Sequence, residues 1–133
     1  MALDFGKVRT GVAETDELQL IASGLTTVNT TELLSFLTDY LKDEMVECIV
    51  VGHPKQMNGA DSESEILIKP FIEKLKNTFP TIAIVRQDER FTSKIAKESM
   101  LIGGMKKKKR ANKAMIDKIS ATLILQSYLN RQI

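Results

Sequence analysis

Three acidic positions stand where a carboxylate could do chemistry. Asp4 lies in the stretch Leu3-Asp4-Phe5-Gly6-Lys7-Val8-Arg9-Thr10-Gly11-Val12-Ala13, in which an apolar strand end delivers one acid, Gly6 turns the chain and two bases follow. Glu89, with Asp88 beside it, comes directly after the apolar run Ile82-Ala83-Ile84-Val85. Asp117 lies in a helical stretch near the C-terminus, and its neighbours three residues before and three and four residues after are Ala114, Ser120 and Ala121. Small neighbours let a helix approach a sheet closely and turn the carboxylate toward that sheet, which a solvated aspartate does not need. An Asp-x-Gly turn at a sheet rim puts a hard oxygen donor where the backbone can come close to a metal or a phosphate, although a plain hairpin reads the same way in isolation. Carboxylates gathered at such a rim cost several kcal/mol unless they are protonated or bridged by a cation. Mg²⁺ or Mn²⁺ answers that need with oxygen ligands and open positions, and two such ions about 4 Å apart can activate a water and stabilise the leaving oxygen in phosphodiester cleavage. For Glu89 the competing reading is a solvated loop pair with Arg90.

Basic residues are placed to meet phosphate. Lys7 and Arg9 flank the first turn, Arg90 follows Glu89, and Lys55 precedes Asn58-Gly59 in a loop. Lys106, Lys107, Lys108, Lys109 and Arg110 run consecutively just before the helix of Asp117. The segment from Lys106 to Lys118 carries a local charge of +6 in a chain of net charge +2, leaving −4 elsewhere. Five successive bases repel one another unless a polyanion arrives, so the run reads as a phosphate-binding arm in preference to a solvated linker. Aromatics are sparse near it, with Phe91 and Tyr128 the nearest, so contact through backbone phosphates is expected, with affinity falling steeply with salt. His53 is the only histidine, and no local spacing supplies it with metal-ligand partners, so it reads as a polar strand-end residue near the substrate.

The elements that must position these groups follow from periodicity. Met1 to Leu3 is short for a first strand, which is therefore either abbreviated or continued by residues before Met1 in the natural protein. Val8 to Ala13 and Leu20 to Val28 read as two further strands around the turn Glu14-Thr15-Asp16-Glu17, giving an antiparallel meander. Asn29-Thr30-Thr31-Glu32 has the form of a capping box, with Leu33, Phe36, Leu37, Tyr40 and Leu41 at helical spacing behind it. Val46 to Val51, ended by Gly52-His53-Pro54, is a continuous apolar run of the kind found in a strand buried on both faces. Ser62 to Phe79 predicts a helix that Pro70 must kink or restart. Ile82 to Val85 predicts a fifth strand, Ser93 to about Ile102 a helix capped by Thr92 and ended by Gly103-Gly104, and about Ala111 to Asn130 a last helix. The expected architecture is α/β, a mixed sheet with three antiparallel strands followed by parallel strands, covered by helices.

At 133 residues, a single domain over residues 1–133 is expected. Cys48 is the only cysteine and lies in an apolar run, which excludes an internal disulfide and suits a reducing compartment. No segment has the apolar length of a membrane span, and Asp4 and Arg9 occupy the region where a signal peptide needs an apolar core, so a cytoplasmic location with no membrane partner is expected.

With those positions in view, the sequence resembles the YqgF family of the RNase H-like superfamily, known as Holliday junction resolvases or pre-16S rRNA nucleases. The resemblance is carried by Ala2-Leu3-Asp4-Phe5-Gly6-Lys7 with Arg9-Thr10-Gly11-Val12-Ala13, by Val50-Val51-Gly52 with Pro54 and Asn58-Gly59, by Asp88-Glu89-Arg90-Phe91-Thr92-Ser93, and by Ile116-Asp117 with Ser120-Ala121 and Ile124-Leu125-Gln126-Ser127-Tyr128-Leu129. These blocks span nearly the whole chain in the family's order. His53 departs from the apolar residue common between Gly52 and Pro54. The resemblance implies an RNase H-like five-stranded sheet and metal-dependent endonucleolytic cleavage of structured nucleic acid. It matches Asp4, Glu89 and Asp117 to the family's catalytic, metal-binding acids, and Lys7 and Arg9 to its basic pair. The expected function is trimming of precursor 16S rRNA at its 5′ end with Mg²⁺ or Mn²⁺. The rivals are resolution of four-way DNA junctions, whose symmetric cuts ask for a homodimer and not a monomer, and a binding module without activity. A phosphate-binding ATPase or sugar-kinase lobe shares the Asp-x-Gly turn, but that architecture needs two lobes and more chain.

Overall fold

The computed structural model describes residues 1–54, 58–89 and 113–131. Its strands are β1 (Ala2–Asp4), β2 (Arg9–Thr15), β3 (Ala22–Asn29), β4 (Cys48–His53) and β5 (Ala83–Asp88), and its helices are α1 (Leu33–Asp43), α2 (Glu65–Thr78) and α3 (Lys113–Arg131). The strands form one sheet in the order β3-β2-β1-β4-β5. β1, β2 and β3 pair antiparallel, while β1 with β4 and β4 with β5 pair parallel. This is the mixed α/β sheet of an RNase H-like fold. Among the described residues no helix is long and apolar enough to cross a membrane.

The two-residue period of a strand sorts the side chains onto two faces and explains where the helices lie. Leu3, Val12, Ile49 and Val51 share one face with Leu33 and Leu37 of α1 and with Ile68, Phe71 and Leu75 of α2. Ala2, Ala13 and Val50 share the other with Ala121, Ile124 and Leu125 of α3. Leu33, Leu37, Ile68 and Leu75 have no exposed surface, and each such side chain stabilises the fold by about 1.5–3 kcal/mol. The sheet face beneath α3 carries several small residues, and at two positions glycine leaves room for a close neighbour. A methyl group at Gly11 would overlap the backbone carbonyl of Asp117, and one at Gly52 would overlap the carboxyl of Glu89. The small helix face expected around Asp117 therefore meets an equally small track on the sheet, with Ser120 and Ala121 buried against it.

Several local expectations are corrected. Asn29 occupies the cap position with extended backbone but makes no side-chain cap bond, and residues Thr30–Glu32 form a short 3₁₀ turn before α1. The hydroxyl of Thr30 is engaged elsewhere, donating to the Gly6 carbonyl and lying 2.9 Å from the Thr10 hydroxyl, so this segment pins the first turn instead of boxing the helix. Pro70 lies inside an uninterrupted α2. The carbonyl it leaves without a helical donor belongs to Ile66, an exposed residue of the first turn. The β2–β3 turn lies two residues further along than expected: β2 runs on to Thr15, and Asp16 Oδ1 accepts the amides of Leu20 and Ile21, which delays β3 to Ala22. β5 continues past Val85 through Arg86 to Asp88, since the charge of Arg86 is neutralised from α2. The expected helix over residues 93–102 and the basic run lie outside the described residues.

Candidate active site

Strand parity decides which side chains can meet. Asp4 is two residues beyond Ala2, Gly52 two beyond Val50 and Glu89 four beyond Val85, so all three fall on the face that packs against α3. The ends of β1, β4 and β5 lie side by side in the parallel half of the sheet. Asp4 pairs in register with Gly11, and Gly11 is where the backbone of Asp117 touches the sheet. One short strand, one strand end and one helix thus bring Asp4, Glu89 and Asp117 to a common rim.

Their electrostatics confirm the proximity. Glu89 rests against Gly52, its amide donates to the carbonyl of His53 at 3.2 Å, and its carboxyl hydrogen-bonds Asp4. Burial, reinforced by the negative charge of Asp4, pushes Glu89 up to about 9. Burial also raises Asp4, to about 6; the bond from Glu89 opposes that rise and the charge of Asp117 adds to it. Near neutral pH the arrangement is therefore a protonated Glu89 donating to an ionised Asp4. Arg9 Nε lies 3.2 Å from Asp117 Oδ2, which ties one base of the first turn to the third acid across 108 residues of sequence. Lys7 is exposed beside it. Lys55, Arg90 and the run Lys106, Lys107, Lys108, Lys109 and Arg110 lie outside the described residues.

A second group was not legible from local spacing. His53 Nε2 lies 2.7 Å from Asp61 Oδ1 and 3.7 Å from Glu65 Oε2, so the start of α2 supplies the partners that its own neighbourhood lacks. The three ligand atoms lie within 4.8 Å of one another, close enough to hold a metal ion. Charge distinguishes this group from the rim acids. Arg86 grips both oxygens of Glu65, at 2.6 and 2.9 Å, and holds its carboxyl below the usual range. Glu65 and Arg86 neutralise each other and His53 is engaged by Asp61, so this cluster holds together without a cation. Among the described residues, the group of Asp4, Glu89 and Asp117 sets three carboxyls against Arg9, paired with Asp117, and the more distant Arg86, and keeps one of them protonated, which is the condition a divalent cation relieves.

The chain is similar over its whole length to proteins named "Putative pre-16S rRNA nuclease". The relative from Flavobacterium psychrophilum is 54% identical over 133 residues, covering 100% of this chain and 97% of the relative. Those from Christiangramia forsetii and Phocaeicola vulgatus are each 57% identical over 129 residues, covering 97% of this chain and 96% and 93% of the relatives. Residues 1–131 match the family model described as RuvX, Holliday junction resolvase. By that match and those identities, the chain belongs to the RuvX family of Holliday junction resolvases.

Proposed function

We propose that this protein is a metal-dependent endonuclease, with residues 1–133 acting as one nuclease domain, and that it processes the precursor of 16S rRNA. The observation that carries the reading is the meeting of Asp4, Glu89 and Asp117 at one rim of the sheet. The donor set is all oxygen, which suits Mg²⁺ or Mn²⁺, and an acid that keeps its proton so far above its ordinary range is one that a cation would ionise. The names of the relatives supply the substrate.

Asp4, Glu89 and Asp117 would hold the metal. A bound divalent cation supplies Lewis acidity at a phosphoryl oxygen and lowers the pKa of an attacking water. The chain's own residues do the rest. Glu89 would lose its proton to solvent when a divalent cation is held. Lys7 and Arg9, on the turn beside Asp4, place the phosphate, with Arg9 drawn from Asp117 toward the nucleic acid. Hydrolysis then forms a bond from water oxygen to phosphorus and breaks one to a ribose oxygen. The bases of Lys55, Arg90 and Lys106 to Arg110 would extend the contact along the backbone.

The test incubates the wild-type protein and Asp4→Asn with a 16S rRNA precursor and with a four-way DNA junction, with and without Mn²⁺. Cutting of the precursor by the wild type alone, and only with metal, is expected. Equal cutting by both proteins overturns the metal site, and cutting of the junction alone overturns the substrate.

A further inference from the structure

Arg86 is a charged residue in β5, just after the apolar Ala83-Ile84-Val85, and parity places it on the face opposite the acids, with Ile84 and α2. Its guanidinium does more than pair with Glu65. Nε donates to the carbonyl of Val51 at 3.2 Å and Nη2 to the carbonyl of Gly52 at 2.9 Å, while Nη1 and Nη2 hold the two oxygens of Glu65. Register gives the reason for the Gly52 bond. The pairing of β1 with β4 stops at Leu3 and Val51, so Gly52 lies one residue beyond that ladder and the arginine supplies a donor there. Glu65 is the first residue of α2 and is 4% exposed, so the fork is anchored to a rigid element. A buried ion pair of this kind adds little stability over an apolar pair of the same volume. Its geometry is the more informative property, because only a planar fork can serve two carbonyls and a carboxylate at once.

On the other face of the same peptide lies Glu89. Its carboxyl occupies the space where a side chain at Gly52 would be, and its amide is bonded to the next carbonyl, that of His53. We infer that Arg86, anchored by Glu65, is a positioning residue that fixes the peptide between Gly52 and His53 from beneath and so sets where the Glu89 carboxyl stands; for its effect on metal binding this rests on the metal reading above. The positive charge of Arg86 also favours the ionised form of Glu89, though less than burial and Asp4 oppose it.

The test uses the full chain with Arg86→Lys, Arg86→Gln and Glu65→Gln. Lysine keeps the charge but, as a point donor, cannot serve both carbonyls and the carboxylate. Hydrogen exchange at the Glu89 amide, measured without metal, reads the positioning directly, and Mn²⁺ titration reads its consequence. We expect Arg86→Lys to speed exchange at Glu89 several-fold and to weaken Mn²⁺ binding by roughly ten- to a hundredfold, as removal of an outer-shell partner does. Glu65→Gln is expected to do the same in weaker form while keeping the fold. A lowered melting temperature with unchanged Glu89 exchange and unchanged Mn²⁺ affinity overturns the inference, as does affinity kept by lysine and lost only with glutamine, which is charge without position. Failure of the wild type to bind Mn²⁺ overturns the metal reading, and the exchange at Glu89 still decides the positioning.

Discussion

Replacing Glu89 by glutamine should make the metal-free protein more stable at pH 8. In the folded protein Glu89 keeps its proton up to about 9, against an ordinary value of 4.5. A group whose folded pKa is raised binds protons more tightly folded than unfolded, so it withdraws stability as pH climbs from its unfolded value toward its folded one. From pH 5 to pH 8 the unfolded chain ionises this residue freely while the fold does not, and at about 1.4 kcal/mol per pH unit the full loss is on the order of 4 kcal/mol. The proton is shared with Asp4 and the site is partly open to water, which reduces the figure to about 2 kcal/mol, or roughly 6 °C in melting temperature for a chain of this size. Asp4, also raised, adds a smaller loss of the same sign through its value of about 6. Thermal unfolding in EDTA at pH 5, 6.5 and 8 measures the effect. The wild type should melt progressively lower with rising pH, Glu89→Gln should lack most of that fall, and Mn²⁺ should restore the wild type most at pH 8 while doing little for the variant. Parallel melting curves for the two proteins, or a variant less stable than wild type at pH 8, would refute the protonated pair.

Gly11→Ala should loosen α3, because the added methyl group meets the carbonyl of Asp117 and neither backbone can yield; a loss of about 1–3 kcal/mol in denaturant unfolding is expected, together with weaker metal binding. Arg9→Ala should change stability by no more than about 1 kcal/mol, since the pair with Asp117 is about a third exposed, yet it should lower the salt slope of RNA binding by about 1 in a filter-binding titration. Serines in place of Lys106 to Arg110 should flatten that slope by up to about 4 while leaving the Mn²⁺ affinity as it was, and an unchanged slope would remove the arm from the binding surface.

The legible parts of this fold are those in which one short segment carries its own reason. A carboxylate at the end of an apolar run with a glycine two residues on marks Asp4, one following the apolar run Ile82 to Val85 marks Glu89, and a helix face of alanine and serine marks Asp117 as turned toward the sheet. Their meeting follows once the sheet is assembled. What sequence reading missed depends on register. Arg86 falls just past the strand read as Ile82 to Val85 and has no local partner, because Glu65 is 21 residues away, and His53 reads as solitary because Asp61 and Glu65 return to it only through the loop into α2. The capping box at Asn29 failed for a related reason: the Thr30 hydroxyl found better partners in Gly6 and Thr10, across the sheet. Local chemistry proposes such bonds, and long-range pairing decides which of them form.

The close seat of α3 on Gly11 has a consequence for when the protein can act. Asp4 and Glu89 belong to the first ninety residues of the chain, but Asp117 reaches the rim only when the final helix has settled on its small-residue track. During synthesis, therefore, an emerging chain can fold its strands in order and still lack the third acid. On the proposed reading, a nuclease directed at precursor ribosomal RNA stays unarmed until α3 has emerged and docked.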